Sequence, residues 1–264
     1  MPADPADPVT AMASTPPTPP SGDATGYAVE AVIFDLDDTL LDHRGSSTAA
    51  LSRWLPTLGS VADDRAVAAW FDAEERHFPR WSAGDITSAE QRRRRLRDVL
   101  PAVGLGVGGE AELDRLFDDY LAHYRESWTG FDDVRAAVDR LHGAGLRMAV
   151  LTNGLDAQQR AKVEALGIGD VVRPVVTAEE LGVAKPDPAA YLAVCERLGV
   201  APAAALHVGD RYDLDVTGAR AAGLRAVHLD RRGLGPTDEP DRISSLDELR
   251  IPGPRPAPVP SGPP

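Results

Sequence analysis

Apolar positions follow two rhythms along this chain. From Gly130 onward, short continuous apolar runs alternate with stretches whose apolar residues recur at helical spacing. The runs at 146–151, 171–176, 204–208 and 224–229 predict strands, and the stretches at 134–142, 156–166, 188–198 and 214–222 predict helices. Gly167, Gly199 and Gly223 stand just past the last three helices, where a left-handed cap residue is wanted. Pro174 interrupts the 171–176 run and assigns it to a sheet edge, because proline donates nothing to a ladder. An earlier apolar run at 29–34 predicts a first strand. Alternation of this kind implies a doubly wound, Rossmann-like α/β fold with a mostly parallel sheet.

The second rhythm fills the gap between the first strand and the rest. Amphipathic helical stretches occur near 47–58, 65–81, 88–100 and 110–127, with no comparable strand pattern. The simplest organisation is an all-helical insert at 44–128 within a discontinuous α/β core made of 28–43 and 129–251. The termini, 1–27 and 252–264, are rich in proline and without periodicity, and are expected to be disordered.

Composition narrows the partners. A net charge of −13 argues against a nucleic-acid backbone or an anionic membrane as the main partner. It leaves phosphate substrates open, because a local cation reverses the local field. No apolar run approaches the roughly 18 residues of a membrane span, and the first residues lack the basic start and apolar centre of a signal peptide. A cytoplasmic protein, monomeric or homodimeric, is the expectation. The single cysteine, Cys195, excludes an intrachain disulfide and reads as a small core residue. Of 28 basic residues only Lys162 and Lys185 are lysines.

Four short motifs close strands or the loops after them. Asp35-Leu36-Asp37-Asp38-Thr39 follows the first strand, Thr152-Asn153-Gly154 the second, Lys185-Pro186-Asp187-Pro188 the loop after the third, and Gly209-Asp210-Arg211-Tyr212-Asp213-Leu214-Asp215 the fourth. In a parallel sheet those ends share one edge, where ligands of open α/β folds bind. Three carboxylates in four positions repel one another, so a metal cation, a lysine or a shared proton must offset them. A compact ammonium at Lys185 suits that task better than a guanidinium fork. Thr-Asn-Gly also suits an ordinary turn. Lys162 reads as a solvated surface lysine and Arg92 to Arg95 as a solvated helix face. Arg76, Arg80 and Trp81 are candidates to meet an anionic or aromatic substrate, or else a surface face and a core tryptophan.

The four motifs in this order, with the helical insert, resemble the haloacid dehalogenase superfamily of phosphohydrolases. That resemblance implies a Mg²⁺-dependent phosphatase acting on a small phosphorylated metabolite, such as a nucleoside monophosphate or sugar phosphate. It implies Asp35 as nucleophile forming an aspartyl-phosphate. It implies Asp37 as general acid and base; the dehalogenase branch lacks an Asp at that position. Thr152, the Asn153 N–H and Lys185 would bind the phosphoryl group. Asp35, the Asp37 carbonyl and Asp210 would hold Mg²⁺, with Asp215 behind them, pairing with Lys185. Asp38 would cap the turn, and the Thr39 hydroxyl would support the loop. Arg211 and Leu214 depart from the family's commonest residues, with Asp213 a possible compensation. The insert would be a cap that sets substrate choice. A phosphomutase of the same superfamily is the alternative, and a receiver-like phospho-acceptor domain a more distant one.

Overall fold

In the computed structural model of the protein, which describes residues 28–251, six strands form one sheet in the order β3-β2-β1-β4-β5-β6. They are β1 (Ala31–Phe34), β2 (Arg147–Thr152), β3 (Val175–Thr177), β4 (Ala205–Gly209), β5 (Arg225–Leu229) and β6 (Arg242–Ile243). Every neighbouring pair runs parallel. The expected disordered tails at 1–27 and 252–264 lie outside the described residues.

β1 is buried on both faces, as an inner parallel strand must be. Val32 and Phe34 join one apolar cluster, and Ala31 and Ile33 the opposite one. The order reverses about β1, which has β2 on one side and β4 on the other. A crevice opens at such a switch point, beyond the C-terminal strand ends.

After β1 the chain first builds a group of four α-helices: α1 (His43–Trp54), α2 (Asp64–Ser82), α3 (Ser88–Ala102) and α4 (Glu110–Glu126). They bury their own apolar cluster, including Trp54, Trp70, Leu96 and Phe117. Trp70 and Phe117 stack at 6.0 Å, and the Arg95 guanidinium lies 4.4 Å over the Trp70 ring. The chain leaves and re-enters the sheet layer side by side. Leu41 bridges Gly130, the Asp42 N–H donates to the Thr129 carbonyl at 2.9 Å, and Phe131 donates to Leu40 at 3.2 Å. Helices α5 (Val134–Gly143) and α6 (Asp156–Ala165) then cover one sheet face. After the single turn α7 (Ala178–Leu181), helices α8 (Pro188–Leu198) and α9 (Gly218–Ala221) cover the other. Among the described residues, no helix is long and apolar enough to cross a membrane.

Three segments differ from the periodicity. The strand expected at 171–176 is only Val175–Thr177, although it does lie at the sheet edge. Val171 and Val172 instead turn back, donating to the Ile168 carbonyl, because their side chains serve the core from a turn. The helix expected at 214–222 begins as a wider π-turn, Tyr212–Thr217. There the Arg211 N–H and Asp215 carboxylate bond at 2.9 Å, folding Asp215 back beneath the strand end. β6, two residues long, is too short to leave a pattern.

Candidate active site

The C-terminal ends of β1, β2 and β4 bring the four motifs together. Asp35 follows β1 directly and its N–H donates to the Val208 carbonyl at 2.9 Å, so the first carboxylate is pinned beside β4. The chain then turns tightly, with Leu40 and Leu41 both donating to the Leu36 carbonyl and Asp38 in the left-handed region at φ 58°. Asp38 accepts the Arg44 N–H at 2.9 Å, the capping role expected of it. Thr39 departs from expectation: its hydroxyl is buried without a partner among the described residues, and its carbonyl instead accepts from Arg231 at 3.0 Å.

Lys185 is the hinge of the charge pattern. Its Nζ, 2% exposed, donates to Asp35 Oδ1 and to Asp215 Oδ1 at 2.7 Å each. Burial works against the ammonium, but the two carboxylates outweigh it and hold its pKa well above the ordinary range. Asp215 also takes His207 Nε2 at 3.0 Å and the Arg211 N–H on Oδ2. Burial would raise the Asp215 carboxyl, yet Lys185 and His207 keep it far below the usual range. The expected pairing of Asp215 with Lys185 is therefore present. A reciprocal pair fixes the loop: Asn153 Nδ2 donates to the Lys185 carbonyl at 2.9 Å, and the Lys185 N–H to Asn153 Oδ1 at 2.8 Å.

Asp37 sits in a different field. Lys162 Nζ donates to its Oδ1 at 2.6 Å, and Gln159 Nε2 to its Oδ2 at 2.8 Å. Burial pushes this carboxyl up, and Lys162 and His43 pull it below the ordinary value. Gln159 also donates to Thr152 Oγ1 at 2.7 Å, joining the first two motifs. Lys162 is not the solvated lysine expected: it is 1% exposed, 5.4 Å over the Tyr124 ring. Neither it nor Gln159 was assigned to the site from sequence. The signal was available: on one helix, positions 159, 162 and 163 fall three and four apart and face inward together.

Asp35 and Asp210 remain short of positive charge. Burial, partly offset by Lys185, raises the Asp35 carboxyl to about 7. Burial and repulsion from Asp35 and Asp215 raise Asp210 well above the ordinary value. No donor reaches the Asp210 carboxylate among the described residues, and carboxylate oxygens of Asp35, Asp210 and Asp215 lie within 4.8 Å of one another. An all-oxygen cluster with uncompensated negative charge fits a hard divalent cation such as Mg²⁺. Asp215 is the least suited ligand of the three, because Lys185, His207 and Arg211 already engage both its oxygens.

A cavity of about 600 Å³ runs from these groups to the inner faces of α2, α3 and α4. Asp35, Asp37, Thr152, Asn153, Lys185, Asp210 and Asp215 all line it, so the residues expected from the four motifs to carry the chemistry converge there. Trp81 lines it as well. Arg76 and Arg80 do not: Arg76 pairs with Asp98 at 2.7 Å on the surface. Asp213 is exposed, 3.4 Å from Arg211, and compensates for nothing inside. The Arg92 to Arg95 run is not a solvated face. Arg95 is 8% exposed and pairs with Glu74 at 2.9 Å, and Arg92 lines the cavity. Glu74 also accepts from His43 Nε2 at 3.0 Å, and His43 Nδ1 lies 2.6 Å from Tyr124 Oη.

Comparison with known proteins gives consistent matches. A family model described as haloacid dehalogenase-like hydrolase matches residues 29–223. The chain is 32% identical over 223 residues to a ribulose-1,5-bisphosphate 5-phosphatase of Halopiger xanaduensis, covering 82% of this chain and 89% of that protein. It is 32% identical over 250 residues to a phosphoserine phosphatase of Thermus thermophilus, covering 84% and 98%. Among solved structures, the magnesium-bound HAD-hydrolase YfnB of Bacillus subtilis shares the fold, with a TM-score of 0.72 at 21% identity over 84% of this chain and 96% of that one. An L-2-haloacid dehalogenase of Xanthobacter autotrophicus superposes with a TM-score of 0.60 at 28% identity, over 77% and 78%.

Proposed function

The chain belongs to the haloacid dehalogenase-like hydrolases, and from that premise we propose that it is a Mg²⁺-dependent phosphatase of small phosphorylated metabolites, working through an aspartyl-phosphate. It is a phosphoric monoester hydrolase, as are its named relatives. The observation that carries the finer reading is Asp37, held by Lys162 and Gln159 beside Asp35. A dehalogenase has no leaving alkoxide to protonate and no need of a second carboxyl there. A phosphatase needs one twice.

Asp35 Oδ2, the oxygen not engaged by Lys185, attacks phosphorus. The new Oδ2–P bond forms as the ester P–O bond breaks, and Asp37, protonated for this step against the pull of Lys162 and His43, passes its proton to the departing oxygen. Water then attacks the aspartyl-phosphate, Asp37 takes its proton, and the Asp35–phosphorus bond breaks to release phosphate. Lys185 places its ammonium beside the reacting carboxylate, and Thr152, oriented by Gln159, presents its hydroxyl to the phosphoryl oxygens. Bound by Asp35, the Asp37 carbonyl and Asp210, Mg²⁺ would supply the positive charge that this cluster lacks. The helices α1 to α4 act as the cap, excluding water and meeting the leaving group. Nucleoside monophosphates and sugar phosphates fit a cavity of this size. A phosphomutase would use the same residues and return the phosphoryl group to its product. Family membership leaves the receiver-like reading without support.

The test is phosphate release from a panel of phosphorylated metabolites, with Mg²⁺ and with chelator. Mg²⁺-dependent release that falls at least about 10³-fold in Asp35→Asn supports the mechanism. Undiminished release by that variant refutes it.

A further inference from the structure

The face of α3 that borders the cavity carries polar groups that the protein itself does not use. Ser88, Gln91, Arg92 and Arg95 are spaced at i, i+3, i+4 and i+7, so they share one face, and all four line the cavity. Arg95 is committed to Glu74 and to the Trp70 ring. Its neighbours in sequence are committed elsewhere: Arg93 to Asp114 and Glu110, and Arg94 to Glu90. Arg92 alone in the run pairs with no carboxylate among the described residues. It is half-buried, its guanidinium 5.3 Å over the Phe117 ring. Burial pushes its pKa down, and Asp118 counters this only from beyond ion-pairing distance. Gln91 is 6% exposed, and its side-chain amide makes no hydrogen bond among the described residues. Buried polar groups ordinarily find partners. Here the buried Gln91 and the half-buried Arg92 face the same space, with no hydrogen bond or ion pair from either side chain among the described residues.

The acidic groups of that wall do not answer them. Glu74 is shared between Arg95 and His43. Glu75 is exposed and forms no ion pair among the described residues. Aromatic rings of Phe71, Phe78, Trp81 and Tyr124 line the rest of this wall. A cation of fixed fork geometry, next to an amide donor in a partly dehydrated aromatic setting, is a site for a planar or tetrahedral oxyanion.

Resting on the phosphatase reading, we infer that Gln91 and Arg92 bind a second oxyanion on the leaving group, so that the preferred substrates are phosphomonoesters whose alcohol carries a carboxylate or a further phosphate. The reacting phosphoryl group sits at the strand ends and the second anion at α3, with the cavity spanning the two. Neutral sugar phosphates and nucleosides leave Arg92 unpaired in a dehydrated wall, and are disfavoured for that reason.

The experiment compares kcat/KM for 2-phosphoglycolate, a sugar bisphosphate and p-nitrophenyl phosphate, whose phosphoryl group is its one anion and whose leaving group is the neutral case, in wild type, Arg92→Gln, Arg92→Lys and Arg94→Gln. The expected wild-type ratio of anionic to neutral substrate is at least about tenfold. It collapses in Arg92→Gln, survives in part in Arg92→Lys, and is unchanged in Arg94→Gln, which alters the same charge on the same helix. Which of the two anionic substrates carries the ratio distinguishes carboxylate from phosphate. Equal ratios in wild type and Arg92→Gln overturn the inference. Binding without turnover separates it from the function it rests on: phosphonoacetate and methylenediphosphonate against methylphosphonate, by calorimetry. Tighter binding of a doubly anionic phosphonate, lost in Arg92→Gln, upholds the inference even if no substrate is hydrolysed, and equal binding of all three overturns it.

Discussion

The ammonium of Lys162 lies 2.6 Å from Oδ1 of Asp37, from a helix 125 residues further along the chain. The position of Asp37 depends on that contact and on Gln159, and its protonation on Lys162 and His43. Lys162→Met should lower kcat by about 10- to 100-fold with KM changed little, as for a group that positions an acid and base rather than substrate. Lys162→Arg should not restore it, because the slot is 2% exposed and a guanidinium is wider than an ammonium. Steady-state kinetics check this. A kcat for Lys162→Met within twofold of wild type would mean that Asp37 is held well enough without it.

Asp210 makes a prediction about stability. Its carboxylate is crowded by Asp35 and Asp215, eased only in part by Lys185, and has no hydrogen-bond donor among the described residues. In chelator, Asp210→Asn should melt at the same temperature as wild type or higher, since it removes a repelling charge. With Mg²⁺, wild-type Tm should climb with the logarithm of metal concentration, as for any ligand that binds only the folded state. Asp210→Asn should lose most of that climb. Scanning calorimetry with a Mg²⁺ series reads both, and an undiminished response in the variant would take Asp210 out of the ligand set.

His43 gives the pH dependence. Burial disfavours its charged ring, but Glu74 outweighs it, helped by Asp37 and Asp38, and the pKa rises from 6.5 to about 8. A raised histidine stabilises the fold fully below 6.5, and that contribution is lost as pH climbs through 8. It amounts to about 2 kcal/mol. Glu74→Gln removes the main raising partner, so this variant should show a flatter loss of stability between pH 6.5 and 8. Denaturant melts across that range test it, together with NMR titration of the ring. A wild-type His43 that titrates at 6.5 or lower contradicts it.

The sheet and the catalytic edge were legible because inner parallel strands bury continuous apolar runs, and the motifs stand where those runs stop. Lys185 stood out by scarcity, and Asp38 by its place in a turn. Lys162 carries the same scarcity, and the helix face it shares with Gln159 and Val163 turns it inward. The arginine run misled for a geometric reason. Successive helix residues advance by about 100°, so four in a row cannot share one face. Arg93 and Arg94 meet surface acids, Arg95 the half-buried Glu74, and Arg92 the cavity. The strand at 171–176 was overextended because apolar Val172 serves the core equally well from a turn. The spacing of Gln159 with Lys162 and Val163 marks an inward helix face, but its role shows only once Asp37 and Thr152 are placed in space.

Both lysines of the chain line the candidate-site cavity, 1% and 3% exposed. The outer surface of the described residues therefore offers no side-chain amine to an acylating reagent. Succinimidyl esters, imidates and lysine-directed crosslinkers will modify a side chain only when the cavity admits them. Amine acylation thus becomes a clock for opening of the cavity, with Lys162 and Lys185 as two built-in reporters read by peptide mass. For the same reason, immobilisation or dye labelling through lysine would strike the chemistry first, and a thiol or tag placed elsewhere is the safer handle.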